Sequence, residues 1–242
     1  MSDSLVIIPT YNELENIERI IRKVFSLEKH FDILIVEDNS PDGTAAIVHK
    51  LMEKFPNRLF IQERKGKLGL GTAYIHGFKW ALNHEYGFVF EMDADFSHNP
   101  EDLEKLYDAC AHQGADVAIG SRYIKGVNVV NWPMGRVLMS YVASMYVRFI
   151  TRMPIMDATA GFKCYTRRVL EAIPFDKIKF VGYAFQIEMK YTAWKMGFKI
   201  AEVPIIFTDR TAGVSKMSSH IFKEAVLGVL RLRFKNIKRV VN

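Results

Sequence analysis

Cysteine is almost absent from this sequence, and its two copies, Cys110 and Cys164, lie far apart along the chain. Two thiols at this spacing do not form the disulfide framework of a small secreted domain, and no cysteine–histidine spacing indicates a zinc site. We therefore expect two reduced structural thiols in a cytoplasmic protein.

Long hydrophobic runs are also missing. No stretch of about 18 apolar residues is free of charge, so the sequence predicts no transmembrane helix. Strand-forming residues begin within the first five positions, so no signal peptide is expected. Glycine and proline, at 15 and 8 of 242 residues, are too few for a disordered or fibrous chain, while 49% hydrophobic residues are enough for a sizeable core.

Acidic residues are scarce at the carboxyl end of the chain. Residues 218–242 contain six basic residues and Glu224 as their one acid, so this segment carries +5 of the formal net charge of +6. The body of the protein is therefore nearly neutral. This distribution argues against a nucleic-acid-binding protein, for which a basic face interleaved with aromatic residues is expected.

Short apolar runs alternate with segments of helical periodicity. This pattern predicts an α/β protein with a mostly parallel central sheet flanked by helices. The predicted strands cover 5–8, 33–36, 59–61, 88–90, 117–119, 162–165 and 200–207. Helices are expected after the first two strands and near 70–84, 100–112 and 183–196, and a nearly charge-free segment covers 137–150. We expect one catalytic domain over 1–217 and a basic amphipathic helix over 218–242.

In open α/β sheets, ligands bind beyond the carboxyl ends of the strands. The first such loop here reads Pro9-Thr10-Tyr11-Asn12-Glu13. Tyr11 is suited to stack on a nucleobase, and Glu13 to accept hydrogen bonds from a ribose or base. The alternative is that Thr10 or Asn12 caps the following helix, with Glu13 in its first turn. Taken alone, the loop favours this alternative.

The second loop runs from Val36 through Glu37 and Asp38 to Gly43. An acidic residue at the end of a second strand is suited to ribose hydroxyls or a base amine. A turn rich in Asp, Asn and Pro needs no ligand, however. The sequence of this loop leaves both interpretations open.

The third loop, Glu91-Met92-Asp93-Ala94-Asp95, follows the predicted strand 88–90. Carboxylates at alternate positions of an extended chain project to the same side. Because like charges at that spacing repel, the pair requires a bound cation or a shared proton, and hard oxygen ligands favour Mg²⁺ or Mn²⁺ as the cation. A solvated acidic turn is the alternative. The position after a central apolar strand, with 97–100 capping the next helix, favours the metal.

Four basic residues follow other predicted strand ends or turns: Arg122, Arg136, Arg210 and Lys216. Arginine binds phosphate through a planar fork and lysine as a point charge, so these residues are candidates for a diphosphate. For each alone, a solvated surface charge is the simpler interpretation. Glycines at 66, 69, 71 and 77 imitate a nucleotide-binding loop, but they lack the spacing and the preceding first strand of the dinucleotide fingerprint.

Together and in this order, the three loops, Ser97-His98, Gly120-Ser121-Arg122-Tyr123 and the segment 209–216 resemble inverting glycosyltransferase family 2. Within that family they are similar to the dolichyl-phosphate (polyprenyl-phosphate) mannose synthases. The resemblance covers about residues 4–218. It implies a GT-A, Rossmann-like fold, GDP-mannose as donor, a polyprenyl phosphate as acceptor, and Mg²⁺ or Mn²⁺ as cofactor.

The resemblance also implies roles for individual residues. Guanosine would be held by Pro9, Tyr11, Glu13, Val36 and Asp38. The metal and diphosphate would be held by Asp93, Ala94 and Asp95, with Ser97 close by. Phosphates would be handled by Arg122, Arg136, Arg210 and Lys216. Glu188 lies where related enzymes that act on hydroxyl groups have a base, which a phosphate acceptor does not require.

Some relatives append transmembrane helices, whereas here an apolar set within 221–232 lies among the six cations. This pattern predicts an interfacial helix on an anionic membrane surface, and hence a peripheral protein of the cytosolic face. Tyr141, Met145, Tyr146 and Phe149 form a second apolar set, for which core and membrane-facing positions are equally expected. The nearest alternative function is a family 2 enzyme that moves glucose or an amino sugar from a UDP-sugar to a lipid phosphate or glycan.

Overall fold

The computed structural model describes residues 2–182, 184–209 and 227–241. Strands and helices alternate along most of this length. Their bounds are β1 (Ser4–Thr10), α1 (Ile17–Phe25), β2 (Asp32–Glu37), α2 (Thr44–Met52), β3 (Leu59–Glu63), α3 (Leu70–Asn83), β4 (Phe88–Glu91), α4 (Asp102–Ala111), β5 (Val117–Ser121), β6 (Val129–Val130), α5 (Met134–Thr151), β7 (Lys163–Thr166), α6 (Arg167–Ala172), α7 (Ala184–Lys195), β8 (Ile200–Pro204) and β9 (Phe207–Thr208).

The main sheet has seven strands in the order β3-β2-β1-β4-β7-β5-β8. Every pairing in it is parallel except those of β7, which runs antiparallel between β4 and β5. A short parallel pair, β6 and β9, lies apart from this sheet. The predicted α/β architecture with a mostly parallel central sheet is confirmed.

Helices cover both faces of the sheet, and β1 shows how. Its alternate side chains point to opposite faces, so Leu5 and Ile7 enter one hydrophobic cluster and Val6 and Ile8 the other. Each is fully buried, and burial of such a side chain contributes about 1.5–3 kcal/mol. β1 therefore contributes to the hydrophobic core on both faces of the sheet.

The helices reach the sheet through apolar stripes and small residues. On α1 the buried stripe is Ile17, Ile20, Ile21 and Val24, the spacing of one helical face. On α3, a Cβ at Gly77 would lie 2.8 Å from the Ile7 side chain, so glycine permits the close packing of α3 on β1.

Two predicted elements differ in detail. The predicted strand 200–207 is two strands, because the chain leaves β8 after Pro204, which has no N–H for a sheet hydrogen bond, and then pairs with β6 through β9. The nearly charge-free segment 137–150 lies within the helix α5, and its apolar residues divide between core and exposed positions. Tyr141, Met145 and Phe149 are exposed, whereas Tyr146 packs partly against the core.

The described part of the carboxyl-terminal segment packs on the domain. Residues 227–233 are helical, with Val229 and Leu232 buried in the core and Leu230 exposed. Those two buried side chains are therefore not available to a membrane, while residues 218–226 of the predicted interfacial helix lie outside the described residues. Within the described ranges no helix is long and apolar enough to cross a membrane.

Candidate active site

Three neighbouring strands bring the predicted site residues to one edge of the sheet. β1 lies between β2 and β4, with Thr10 opposite Glu37 and Ile7 opposite Glu91. Because all three strands are parallel, the loops that begin at Tyr11, Asp38 and Met92 leave the sheet side by side.

The first two loops are joined by hydrogen bonds from backbone to side chain. The N–H groups of Asn12, Glu13 and Leu14 donate to Ser40 Oγ, Thr44 Oγ1 and Asp42 Oδ2 at 3.0, 3.1 and 3.0 Å. Asn12 has a φ of 57°, in the left-handed region that asparagine tolerates. The α1 N-cap position is occupied by Asn16, so the alternative in which Thr10 or Asn12 caps this helix is wrong.

The predicted nucleoside-binding residues at these strand ends differ in how far they are exposed to solvent. Tyr11, Glu13 and Pro9 are partly exposed, whereas Val36 is fully buried. Asp38 is 6% exposed, and both of its carboxylate oxygens accept hydrogen bonds from Arg64. The structure therefore brings this set together at one edge, with Val36 beneath it.

Asp93 is held from two directions. Its backbone N–H donates to His98 Nδ1 at 3.2 Å, and its carboxylate accepts a long hydrogen bond from the Tyr74 hydroxyl at 3.5 Å. His98 Nδ1 also lies 4.0 Å from Asp93 Oδ2. This contact is not an ion pair, because burial lowers the pKa of His98 to about 4 and its Nδ1 accepts the hydrogen bond from the Asp93 N–H.

Asp95 lies deeper than Asp93. Its carboxylate accepts the N–H of Ser97 at 3.1 Å, and the side chain lines a cavity of about 400 Å³ at this edge of the sheet. Ala94 and Ser97 are buried beside it. The predicted cap of the next helix is confirmed at Asn99, whose Oδ1 accepts the N–H of Glu101 at 3.2 Å in the turn that leads into α4.

The two carboxylates fit a hard divalent cation. Their ligand atoms are oxygens, Asp93 is 42% exposed at its side chain, and Asp95 faces the cavity. In the described ranges no cluster of three or more Asp, Glu, His or Cys side chains is arranged for a metal. A cation here would therefore need further ligands from substrate or water, as Mg²⁺ and Mn²⁺ accept.

Two of the predicted phosphate-binding arginines, Arg122 and Arg136, already have carboxylate partners. Arg122 is buried and donates to both oxygens of Asp157. Arg136, at the start of α5, donates to Asp209 Oδ1 at 2.8 Å, and Asp209 lines the same cavity as Asp95. Arg210 and Lys216 lie outside the described residues.

Residues 5–174 match the profile of glycosyl transferase family 2. The chain belongs to this family. It is 47% identical over 226 residues to a polyprenol monophosphomannose synthase of Mycolicibacterium smegmatis, covering 93% of this chain and 85% of that protein. It is 41% identical over 227 residues to an undecaprenyl-phosphate mannosyltransferase of Micrococcus luteus, covering 94% and 92%.

Solved structures show the same fold at low sequence identity. A glucosyl-3-phosphoglycerate synthase from Mycobacterium tuberculosis, in complex with Mn²⁺, UDP and glucosyl-3-phosphoglycerate, superposes with a TM-score of 0.69 at 16% identity, covering 95% of this chain and 79% of that chain. A mannosyltransferase from Pyrobaculum calidifontis with GDP-Man and Mn²⁺ gives 0.59 at 19%, covering 96% and 63%. The predicted GT-A fold of this glycosyltransferase is confirmed.

Beneath the acidic loop lies a buried polar cluster that the sequence interpretation missed. Lys163 Nζ is 3.1 Å from Glu91 Oε2, and Gln186 donates to the same oxygen at 2.7 Å and accepts from Lys163. Burial raises the pKa of Glu91 and lowers that of Lys163, and their mutual attraction opposes both shifts. A lysine inside a strand and a glutamine inside a helix carry no local signal of this contact.

Glu188 of this glycosyltransferase makes several hydrogen bonds within the protein. It is buried, and its carboxylate accepts the N–H groups of Lys179 and Phe180 at 2.8 and 3.0 Å and the ammonium of Lys235 at 2.6 Å. These contacts join α7 to the segment before it and to the carboxyl-terminal segment. They provide a structural reason for an acid at this position.

Proposed function

We propose that this glycosyltransferase transfers mannose from GDP-mannose to a polyprenyl phosphate, with inversion at the anomeric carbon. The observation that carries the proposal is the 47% identity, over 93% of this chain, to a polyprenol monophosphomannose synthase. The convergence of the β2, β1 and β4 ends on one edge of the sheet supports it, because a nucleotide-sugar needs nucleoside and diphosphate sites side by side.

On the donor side, Pro9, Tyr11, Glu13, Val36 and Asp38 form the guanosine site. Tyr11 presents a partly exposed aromatic ring, and Asp38 presents a fixed carboxylate for ribose or base donors. Val36, being fully buried, supports the site through its backbone and packing.

At the diphosphate, Asp93 and Asp95 would hold a divalent cation, Mg²⁺ or Mn²⁺, which when bound stabilises the charge that builds on the departing GDP. Ala94 and Ser97 shape the same loop. His98 and Tyr74 hold Asp93 by its backbone and its carboxylate. Arg136, Arg122, Arg210 and Lys216 supply positive charge for the phosphates of donor and acceptor.

The acceptor is itself the nucleophile. An oxygen of its phosphate forms the new bond to the anomeric carbon while the bond from that carbon to GDP breaks. A phosphate monoester is largely dianionic at pH 7, with a second pKa of about 6, so no protein base needs to remove a proton. The structural ties of Glu188 agree with a base-free displacement.

We also propose that the protein docks on an anionic membrane surface through α5, with the tail over 218–242 assisting. One face of α5 exposes Met134, Leu138, Met139, Val142, Met145 and Phe149, the last at 82%. The helix contains no acidic residue, and Arg148 and Arg152 line a groove with Met145 and Phe149. Apolar side chains beside cations suit the boundary between acyl chains and anionic headgroups.

This position also suits the lipid acceptor. Arg136, at the first turn of α5, contacts Asp209 at the Asp95 cavity. A polyprenyl phosphate delivered from a bilayer against α5 would therefore meet the site by its phosphate, while its hydrocarbon chain stays in the membrane.

The test incubates purified protein with undecaprenyl or dolichyl phosphate, Mg²⁺ or Mn²⁺, and one labelled donor at a time. We expect label from GDP-mannose in the lipid phase, with none from UDP-glucose or UDP-N-acetylglucosamine and none after chelation by EDTA. Transfer from a UDP-sugar alone would replace the proposal with the alternative family 2 activity.

A further inference from the structure

The loop over 64–69, between β3 and α3, borders the donor site. The sequence interpretation set its glycines aside as an imitation of a phosphate loop. In the structure, β3 pairs with β2 as far as Glu63 opposite Glu37, and the next N–H, that of Arg64, donates to the Glu37 carbonyl at 2.7 Å. The side chain of Arg64 therefore starts beside the strand end that carries Asp38.

Arg64 binds the Asp38 carboxylate through two parallel hydrogen bonds. Its Nε lies 2.6 Å from Oδ1 and its Nη2 2.8 Å from Oδ2, and the two side chains are only 8% and 9% exposed. The third nitrogen, Nη1, donates to Thr72 Oγ1 at 2.8 Å. A guanidinium held at all three nitrogens fixes both the position and the plane of the carboxylate it binds.

The ion pair with Arg64 leaves the Asp38 carboxylate able to bind a ligand as well. An ionised carboxylate has about four acceptor positions, and the fork uses two of them. A carboxylate this deeply buried is costly to keep ionised without a partner, and Arg64 provides one. Asp38 thus remains an oriented acceptor for hydroxyl or amine donors of a nucleoside.

The same loop reaches the other side of the nucleoside-binding edge. Lys67 Nζ lies 5.0 Å from the centroid of the Tyr11 ring, within the range of a cation–π contact. The loop over 64–69 therefore contacts both the residue suited to stack on a base and the residue suited to bind the ribose.

We propose that Arg64 is a positioning residue for the donor nucleoside, acting through Asp38 and not through contact with the reacting atoms. The inference rests on the proposed function for the assignment of Asp38 to the donor. Under this proposal Arg64 determines the affinity for the donor in addition to any contribution that it makes to the stability of the sheet.

The chain offers a matched control at the opposite end of the same two strands. Arg58, just before β3, lies 3.9 Å from Asp32 at the start of β2 and donates to the Phe31 carbonyl at 2.9 Å. Arg58→Gln therefore also removes an arginine that joins β2 and β3, but at the edge away from the site.

The experiment compares wild type, Arg64→Gln, Arg64→Lys, Arg58→Gln, Asp38→Asn and the double variant of Arg64→Gln with Asp38→Asn. For each we measure the KM of GDP-mannose, kcat, the KM of the lipid phosphate, the Kd of GDP by calorimetry, and the melting temperature. We expect Arg64→Gln to raise donor KM and GDP Kd by about tenfold, the loss of one charge-assisted contact, with kcat and acceptor KM changed by less than about threefold.

Three further results are expected. Arg64→Lys, which keeps the charge but not the fork, raises donor KM less than Arg64→Gln does. Arg58→Gln lowers the melting temperature but leaves donor KM within about twofold of wild type, since it touches no donor-side group. The double variant matches Asp38→Asn alone, because residues that act as one unit are not additive.

The inference is overturned if Arg64→Gln leaves donor KM and GDP Kd within about twofold of wild type, or if its effect multiplies with that of Asp38→Asn. Should Arg64→Gln fail to fold, Arg64→Lys decides the matter by the same affinities. A wild type that binds GDP but transfers no mannose contradicts the proposed function. In that case the inference about Arg64 is tested by the Kd of GDP for the wild type and the variants. A wild type that binds no guanine nucleotide contradicts both.

Discussion

Arg122 and Asp157 form a two-point ion pair inside the protein, with Nε–Oδ2 and Nη2–Oδ1 distances of 2.7 Å. The backbone N–H of Arg122 donates to the same carboxylate at 3.0 Å. The pair therefore fixes the end of β5 beside the proposed site, and any phosphate that Arg122 binds must share the guanidinium with Asp157.

Asp157→Asn should destabilise the protein by about 3–5 kcal/mol, because it leaves a buried arginine without its counter-charge. The measurement is the free energy of unfolding in urea. Asp108→Asn, an exposed acid paired with His112 on α4, is the control and should change it by less than about 0.5 kcal/mol.

The same pair predicts a dependence on pH. Burial raises the pKa of Asp157, but the hydrogen bonds and charge of Arg122 outweigh it and hold the pKa below its ordinary value of 3.8. A depressed carboxyl pKa contributes stability that is fully present above the unfolded value and is lost as pH falls through the folded value. The stability difference between wild type and Asp157→Asn should therefore be constant above about pH 5 and shrink below pH 4. A difference that grows in acid would contradict this assignment.

Asp95→Ala should abolish mannosyl transfer, because it removes one of the two carboxylates proposed to hold the cation. We expect a loss of kcat of at least about 10²–10³-fold, comparable to removal of a group that stabilises transition-state charge. Transfer is measured by label in the lipid phase, and Mn²⁺-dependent binding of GDP by calorimetry. A variant that keeps Mn²⁺-dependent GDP binding at wild-type affinity would refute the metal assignment.

Glu188→Gln should retain most of the transfer activity, since a phosphate acceptor needs no base. The variant should nevertheless be less stable by about 1–3 kcal/mol, because the buried contact with Lys235 loses its charge. Kinetics and urea unfolding measure the two effects. Lys235→Met should lower stability in the same way.

A dead Glu188→Gln enzyme that still binds GDP-mannose would instead assign catalysis to this acid. Limited proteolysis provides an independent readout, because loss of the Lys235 contact should expose the carboxyl-terminal segment to cleavage before the rest of the chain.

Phe149→Ser combined with Met145→Ser should weaken binding to anionic liposomes by roughly tenfold or more, because each apolar side chain contributes about 1.5–3 kcal/mol on full burial. Cosedimentation with phosphatidylglycerol vesicles measures the binding. Leu68→Ser, at a residue 56% exposed but away from α5, is the control. Equal binding of wild type and both variants would contradict docking through α5.

Sequence reasoning predicted well wherever the signal was local. The alternation of apolar strands with helical stripes predicted the sheet, and the stripe of α1 appears as expected. The polar loops after β1, β2 and β4 are expected to lie together because the carboxyl ends of parallel strands share an edge, and the sheet order places these three strands side by side. Hydrophobic periodicity and strand-end position are properties of short segments, so they can be recognised in the sequence without the tertiary structure.

The tertiary structure alone decided which charges meet. Arg64 lies 26 residues from Asp38, Arg122 lies 35 residues from Asp157, and Lys235 lies 47 residues from Glu188. It also decided that Val229 and Leu232 face the core while Phe149 faces outward. Pairing between distant residues depends on how the sheet and helices pack, and hydrophobic pattern within a segment carries no information about which remote partner a buried charge will find.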